Sequence, residues 1–230
     1  MSTVLITGAN RGLGLEFVRQ YANKGWYVLA ACRAPESANA LNELAKNNDN
    51  IEPLTLDVTK ESDINGLADS LNGRPIDHLI LNAGVLGDDC AKLGEMTQAK
   101  WLEVLTINTV APALLLQALQ DNVAASELKT IVGISTRVAS LGDNSSGNMY
   151  SYRTSKAALN QILVSAAQNL REKEVKTLAI HPGWVQTDMG GKDATFTAEQ
   201  SVSGIINVAS NLTLEESGSF RVFDGSSIEW

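Results

Sequence analysis

The feature that most constrains the fold is a glycine-rich turn at residues 7–14, TGANRGLG, which directly follows the apolar run Val4-Leu5-Ile6. Its spacing, G-x-x-x-G-x-G, lets the backbone turn sharply and approach a pyrophosphate closely. The next helix would offer unpaired N–H groups and its positive end to that anion. An ordinary tight turn is the alternative, but the position after the first strand favours a dinucleotide site. The candidate contacts are Gly8, Asn10, Arg11, Gly12, Leu13 and Gly14.

Seven short runs of aliphatic and β-branched residues alternate with longer segments of helical periodicity. The runs are nearly all apolar, which is typical of strands buried on both faces of a parallel sheet. The pattern predicts a Rossmann-type, doubly wound α/β fold, with a mostly parallel seven-stranded sheet and helices on both faces, in one domain covering residues 1–230. The predicted strands are 3–7, 26–31, 51–56, 78–81, 130–134, 177–181 and 220–223, and loops rich in Gly, Asp, Asn or Ser are predicted at 87–94, 142–148 and 189–195.

Composition excludes several classes of function. The chain has 230 residues, 44% of them apolar, and a formal net charge of −8. This charge argues against nucleic-acid and anionic-membrane partners, which need a basic face. No signal peptide and no apolar run long enough to span a bilayer is apparent, and Cys32 and Cys90 are interpreted as reduced thiols, so we expect a cytoplasmic protein. With two histidines and no clustered ligands, no metal site is predicted.

Tyr152 and Lys156 form the candidate catalytic pair. They lie in a segment of helical periodicity, and residues four apart share one helix face. A neighbouring ammonium favours the phenolate, and we expect Lys156, together with the positively charged ring of an oxidised dinucleotide, to lower the pKa of Tyr152 from about 10 by roughly three units. A surface pair of little consequence is the alternative. Tyr150 lies six residues from Lys156, roughly on the other side of the helix, and is expected only to line the cleft.

The glycine turn is followed in order by Asp57-Val58, Asn82-Ala83-Gly84, Asn108, Tyr152-x-x-x-Lys156 and Pro182-Gly183. With these motifs over essentially the whole chain, the sequence resembles the single-domain short-chain dehydrogenase/reductase family. Within it, the stretches ACRAPESANAL, SLGDNSSGNMYSYRTSKAALN, HPGWVQTDMGG and VFDGSSIEW resemble the C-factor and sniffer-like carbonyl reductases. The resemblance implies that Asp57 and Val58 flank the adenine. It places Asn82, Ala83 and Gly84 on the ribose side and assigns the nicotinamide carboxamide to the segment with Pro182, Gly183, Val185 and Thr187.

The end of the second strand predicts which dinucleotide binds. The acidic residue that would hold a ribose 2′-hydroxyl is replaced by Cys32, and Arg33 follows. An arginine can bind a 2′-phosphate through two parallel hydrogen bonds, and Arg11 adds a second positive charge on what we expect to be the same side. In the resembled family, basic residues at these places accompany NADP. We therefore predict NADP(H), with an Arg33 that merely ends a strand in solvent as the alternative.

Two further roles follow from the resemblance. The hydroxyl that positions the substrate carbonyl falls on Thr136, with Ser135 as the fallback. The family's relay water falls on Asn108, whose backbone carbonyl loses its helical partner because Pro112 has no N–H. A buried Asn108 satisfied by the backbone is the alternative. His181 ends an apolar strand and is interpreted as structural rather than as a general base.

The predicted function is NADPH-dependent reduction of an aldehyde or ketone carbonyl, with Tyr152 as acid and base and a small-molecule carbonyl or alcohol as substrate. An NADP-binding signalling or sensor protein with little turnover is the alternative, although an intact Tyr152/Lys156 pair argues against it. A nucleotide-sugar epimerase or dehydratase is a more distant one. The resemblance also implies a homodimer or homotetramer that pairs through the helices of Asn108 and Tyr152.

Overall fold

The computed structural model describes residues 1–87 and 92–230, so Cys90 and half of the predicted loop 87–94 lie outside the described residues. In the described part, seven strands form one sheet. They are β1 (Thr3–Thr7), β2 (Tyr27–Cys32), β3 (Ile51–Thr55), β4 (His78–Leu81), β5 (Thr130–Ile134), β6 (Lys176–His181) and β7 (Ser219–Val222). Every pair of neighbours is parallel, in the order β3-β2-β1-β4-β5-β6-β7.

Helices cover both faces of the sheet and leave two apolar cores. The described helices are α1 (Gly12–Asn23), α2 (Asn39–Lys46), α3 (Glu61–Leu71), α4 (Gln98–Leu105), α5 (Ala111–Ala124), α6 (Tyr150–Asn169) and α7 (Ala198–Ser210). One core contains Phe17 of α1 and Ile205 of α7; the other contains Leu115 of α5 and Leu163 of α6. The predicted doubly wound fold is therefore confirmed.

The seven strand positions are confirmed to within one residue. β2 begins at Tyr27 instead of Trp26, because the Trp26 N–H bonds to the Tyr21 carbonyl and so ends α1. The central strands β1, β4 and β5 are fully buried, as their apolar sequences indicate. The edge strand β3 is partly exposed and carries Pro53, which an edge tolerates because fewer ladder bonds are needed there.

The strand order reverses between β1 and β4. In open parallel sheets, such a switch point leaves a crevice beyond the carboxyl ends of the strands, where ligands bind. The glycine turn follows β1, and Asn82, Ala83 and Gly84 follow β4. The two motifs that the sequence assigns to a dinucleotide thus meet at this crevice.

The expectation that no apolar segment is long enough to span a bilayer is wrong. Residues Gln98–Ala124 form a helical segment that is long and apolar enough, by length and composition, to cross a membrane. In this fold Leu115, Leu119 and Val123 of that segment are buried in the core beneath the sheet. An amphipathic core helix passes the same test, since its buried face raises the mean hydropathy.

Candidate active site

The glycine turn forms a cradle without side chains. Gly8 has a φ of +67°, which glycine adopts readily. A Cβ on Gly14 would overlap the Gly8 carbonyl oxygen and lie 2.8 Å from the Asn82 side-chain nitrogen. No side chain caps α1, which begins at Gly12. The first N–H groups of α1, including that of Leu13, therefore remain available to an anion. The Leu13 side chain packs on the core, and Asn10 is exposed.

Thr7 and Asn82 join the ends of β1 and β4. The Thr7 hydroxyl oxygen accepts hydrogen bonds from the N–H groups of Asn82 and Ala83, each at 3.0 Å. The Asn82 amide donates to the Thr7 carbonyl at 2.8 Å. These bonds fix the two sides of the crevice against each other, so the contribution of Asn82 is at least partly structural.

The two arginines predicted to bind a 2′-phosphate have different surroundings. Arg33 is exposed at the end of β2, and its charge helps to lower the pKa of Asp57. Arg11 instead donates a hydrogen bond to Asp188 at 2.9 Å, in the loop after β6. Both partners of this ion pair are mostly exposed, so it is open to competition from another anion.

Asp57 and Val58 follow β3. The Asp57 carboxylate accepts hydrogen bonds from the Thr59 hydroxyl at 2.7 Å and from the Thr59 N–H at 3.1 Å. Hydrogen bonding to Thr59 is the main cause that lowers the pKa of Asp57. Val58 packs against the core beside α3. Two hydrogen bonds from Thr59 thus orient the Asp57 carboxylate where the adenine is expected.

Lys156 is buried near the centre of the crevice. Its side-chain nitrogen donates to the Ile134 carbonyl at 2.7 Å, at the end of β5. A Cβ on Gly84 would lie 3.4 Å from the same nitrogen, so the missing side chain there leaves it room. Burial lowers the pKa of Lys156 to about 8. The amine is therefore still mostly charged at neutral pH.

Tyr152 lies one helical turn before Lys156 at the start of α6. The lowering of its pKa is expected with an oxidised cofactor bound as well as Lys156; in the protein chain alone, burial raises the pKa of Tyr152 to about 12. Loss of hydration on burial disfavours the charged phenolate. The phenol is accordingly protonated at neutral pH, as an acid must be.

Asn108 is fully buried in a π turn, Thr106–Val110, between α4 and α5. Its side-chain oxygen accepts from the Val85 N–H at 2.9 Å, and its amide donates to the Val85 carbonyl at 2.8 Å and to the Ser155 hydroxyl at 3.0 Å. The alternative that the backbone satisfies this side chain thus fits the geometry. Only its backbone carbonyl, in the turn that precedes Pro112, is left for a relay water.

The two candidate hydroxyl groups after β5 face different partners. Ser135 is buried and hydrogen bonds to the Asn160 side-chain oxygen at 2.6 Å, so its proton is committed to α6. The Thr136 oxygen accepts only a long bond, 3.4 Å, from the Val138 N–H. Thr136 therefore retains a proton to donate, and the geometry favours it over Ser135.

The loop after β6 returns over the glycine turn. A Cβ on Gly12 would lie 3.6 Å from the Thr187 methyl carbon, and the Thr187 hydroxyl accepts from the Gly190 N–H at 3.2 Å. Val185 is buried at the base of this loop. Gly183, after Pro182, has no space for a side chain, because a Cβ would approach Phe196 within 2.8 Å.

His181 lies at the end of β6. Burial, followed by the charge of Arg137, lowers its pKa to about 4, so the ring is neutral at pH 7. Its Nδ1 is buried without a hydrogen-bond partner among the described residues. Cys32 is a buried thiol whose pKa burial raises, which disfavours the reactive thiolate.

Sequence reasoning missed three residues that organise the site. Ser155 receives the Asn108 amide and donates to the Tyr152 carbonyl at 2.8 Å. Asn160 binds Ser135, and Arg153 binds the loop before α6. A signal for Ser155 and Asn160 was present, because both are polar residues on the buried face of a helix.

Residues 2–198 match the family model described as short chain dehydrogenase. The chain is 41% identical to C-signal of Myxococcus xanthus over 156 residues, which cover 68% of this chain and 93% of that protein. It is 35% identical to 1-hydroxy-2-glutathionyl-2-methyl-3-butene dehydrogenase of Rhodococcus sp. (strain AD45), with 100% of both chains covered.

Solved structures resemble the whole chain. The NADPH-bound carbonyl reductase from chicken fatty liver has a TM-score of 0.93 and 35% identity, covering 100% of this chain and 99% of that one. Carbonyl reductase Sniffer of D. melanogaster also has a TM-score of 0.93, with 32% identity and 100% of both chains covered. A carbonyl reductase from Pseudomonas aeruginosa PAO1 in complex with NADP has a TM-score of 0.89 and 29% identity, again with 100% of both covered.

Proposed function

The chain belongs to the short-chain dehydrogenase family, and we propose that it is an NADP(H)-dependent oxidoreductase that reduces the carbonyl group of an aldehyde or ketone. The observation that carries this proposal is the placement of Tyr152 and Lys156 on one face of α6. The Lys156 amine lies at the switch point, beside the missing side chain of Gly84.

The residues around the crevice fit a dinucleotide that carries a 2′-phosphate. Gly8 and Gly14 form a cradle that any side chain would fill, and α1 begins there with uncapped N–H groups. Arg33 is exposed where a carboxylate would select NAD, and Arg11 lies at the mouth. The chicken and P. aeruginosa reductases, which have the same fold, were solved with NADPH and NADP respectively.

When bound, NADPH supplies the hydride. Tyr152 donates its proton to the carbonyl oxygen, and its pKa of about 12 keeps it protonated at neutral pH. Thr136 donates a hydrogen bond that orients the same oxygen. Lys156 places a positive charge behind the phenol and favours the phenolate that remains after the transfer. The Asn108 backbone carbonyl holds the water through which that phenolate regains a proton.

An aldehyde and ketone panel tests this function. Purified protein is incubated with NADPH and each compound, and NADPH oxidation is followed together with that of Tyr152→Phe. Turnover by wild type that the variant loses supports the proposal. Tight NADPH binding without turnover of any compound would instead favour a function as an NADP-binding sensor. The similarity to C-signal is the observation that favours this second function.

Assembly remains a separate expectation. A groove between α5 and α6 is lined by apolar residues such as Leu116 and Ile162 and by polar residues such as Gln117 and Gln161, and its position agrees with pairing through these two helices. Light scattering is expected to give a dimer or tetramer. A monomer at micromolar concentration would contradict that expectation without affecting the proposed chemistry.

A further inference from the structure

The loop before the catalytic helix has an unusual backbone. Gly147, Asn148 and Met149 have φ values of +61°, +57° and +53°, so three consecutive residues are left-handed. Glycine adopts this conformation freely and asparagine tolerates it, but a long side chain such as that of methionine disfavours it. Tyr150 follows at once and begins α6, two residues before Tyr152. Contacts from elsewhere must stabilise this loop if the helix is to begin where it does.

The Arg153 side chain supplies those contacts. Its Nε donates to the carbonyl oxygens of Gly147 and Asn148, each at 3.1 Å, and one terminal nitrogen donates to the Ser146 hydroxyl at 2.9 Å. No described carboxylate forms an ion pair with Arg153, so its charge is directed at these neutral oxygens. Hydrogen bonds from a charged donor are stronger than neutral ones.

The remaining nitrogen of the guanidinium reaches the other half of the site. It donates to the Val138 carbonyl at 2.8 Å. Val138 lies in the short turn Arg137–Ala139, which directly follows Thr136 and whose N–H contacts the Thr136 hydroxyl. Arg153 directly follows Tyr152, and its guanidinium thus joins the start of α6 to the turn after Thr136.

We propose that Arg153 is a positioning residue that sets the distance between the Tyr152 phenol and the Thr136 hydroxyl. It does so by holding the left-handed loop 146–149 and the turn Arg137–Ala139 against the first turn of α6. This inference rests on the proposed function, in which both hydroxyl groups contact the same carbonyl oxygen. A lysine cannot replace Arg153, because an ammonium is a compact point charge that cannot span four oxygens in a planar arrangement.

The test compares Arg153→Ala and Arg153→Lys with wild type and with Arg171→Ala. Arg171 is a suitable control, since it follows the same helix, is exposed and makes one long hydrogen bond, 3.4 Å, to Leu214. We expect kcat for carbonyl reduction to fall at least tenfold in both Arg153 variants, with the NADPH dissociation constant changed less than twofold. Millimolar guanidinium is expected to restore part of the Arg153→Ala activity, while equal sodium chloride does not. An unchanged kcat in Arg153→Ala would overturn the proposal.

Hydrogen–deuterium exchange gives a readout that does not depend on turnover. In Arg153→Ala, peptides covering residues 137–141 and 144–152 are expected to exchange faster, while the rest of the chain keeps its protection. If wild type reduces no carbonyl compound, the proposed function fails, but this experiment still decides whether Arg153 holds the two segments. Unchanged exchange in both segments would overturn the positioning role, and faster exchange over the whole chain would do the same by showing a global structural role.

Discussion

The Lys156 amine donates a hydrogen bond of 2.7 Å to the main-chain carbonyl of Ile134, which places a buried charge at the carboxyl end of the central strand β5. Only 4% of Lys156 is exposed. Burial of a charge is unfavourable, and the lowered pKa of this amine expresses that cost. A residue retained at such a cost is expected to serve function rather than stability.

Lys156→Met is therefore expected to be more stable but inactive. The pKa of Lys156 is about 8 in the folded chain and 10.5 in the unfolded chain. Above pH 10.5 the amine is neutral in both states and its burial carries no charge penalty. As pH falls towards 8, the unfolded chain binds the proton first, and the free energy of unfolding decreases. At pH 7 the variant avoids a penalty of about 3 kcal/mol, less the lost hydrogen bond. Urea unfolding should show an advantage that shrinks by about 2 kcal/mol between pH 7 and pH 9.5. The control Lys173→Met, at an exposed residue paired with Asp121, should give no stability advantage.

The pH profile of reduction is expected to follow Lys156 and not Tyr152. Since the pKa of Tyr152 is about 12, the phenol stays protonated across the usual assay range. Lys156 loses its charge above about pH 8, and kcat should decline there. Initial rates between pH 6 and pH 10 check this, and a profile that stays flat to pH 10 would contradict the role of the ammonium.

Asp188→Asn is expected to tighten NADPH binding. The substitution releases Arg11 from its exposed ion pair, and the free guanidinium can then approach the 2′-phosphate. Because exposed ion pairs contribute little, the dissociation constant should fall only roughly 1.5- to 5-fold. Fluorescence titration at low and high salt measures it. Arg33→Ala is the opposing control, and we expect it to weaken NADPH binding and leave NADH binding unchanged. If the variant loses affinity for both nucleotides equally, Arg33 does not bind the 2′-phosphate.

Gly14→Ala is expected to abolish cofactor binding. The chain should still fold, with its free energy of unfolding lowered by a few kcal/mol. The added Cβ would overlap the Gly8 carbonyl and so displace the turn itself. Isothermal titration with NADPH and thermal unfolding measure the two effects. Gly66→Ala in α3 is the matched control, because a Cβ there meets nothing within 4 Å; that variant should bind normally.

The acid limb of stability is expected to depend on His78. This ring is fully buried, bonds Tyr21 at 2.7 Å, and has its pKa lowered by burial to about 4. Its neutral form stabilises the fold above about pH 6.5, and about 3 kcal/mol is lost as pH falls from 6.5 towards 4. Urea unfolding of a Tyr21→Phe/His78→Leu variant should vary less over that range. An identical slope in wild type and variant would assign the acid sensitivity elsewhere.

Much of the fold was predictable because its signals are local. The apolar runs gave the strands to within one residue, and Pro112, by removing a backbone donor, indicated a disturbed helix where the π turn Thr106–Val110 lies. Contacts between distant residues left no such signal. Asp188 binds Arg11 from 177 residues away, and the Asn160 side-chain oxygen accepts a hydrogen bond from the Ser135 hydroxyl because two elements pack together. The raised pKa of Tyr152 in the chain alone also left no local signal, because burial depends on the whole fold.

The central claim is tested most directly with NADPH that carries deuterium at C4 of the nicotinamide. Each diastereomer is incubated with wild-type protein and an aldehyde or ketone from the panel, and the alcohol is analysed by mass spectrometry. We expect one diastereomer to deliver deuterium to the carbinol carbon, with the yield reduced roughly 10²- to 10⁴-fold in Tyr152→Phe. Bound NADPH that transfers no deuterium to any compound, or a Tyr152→Phe variant as active as wild type, would contradict the account.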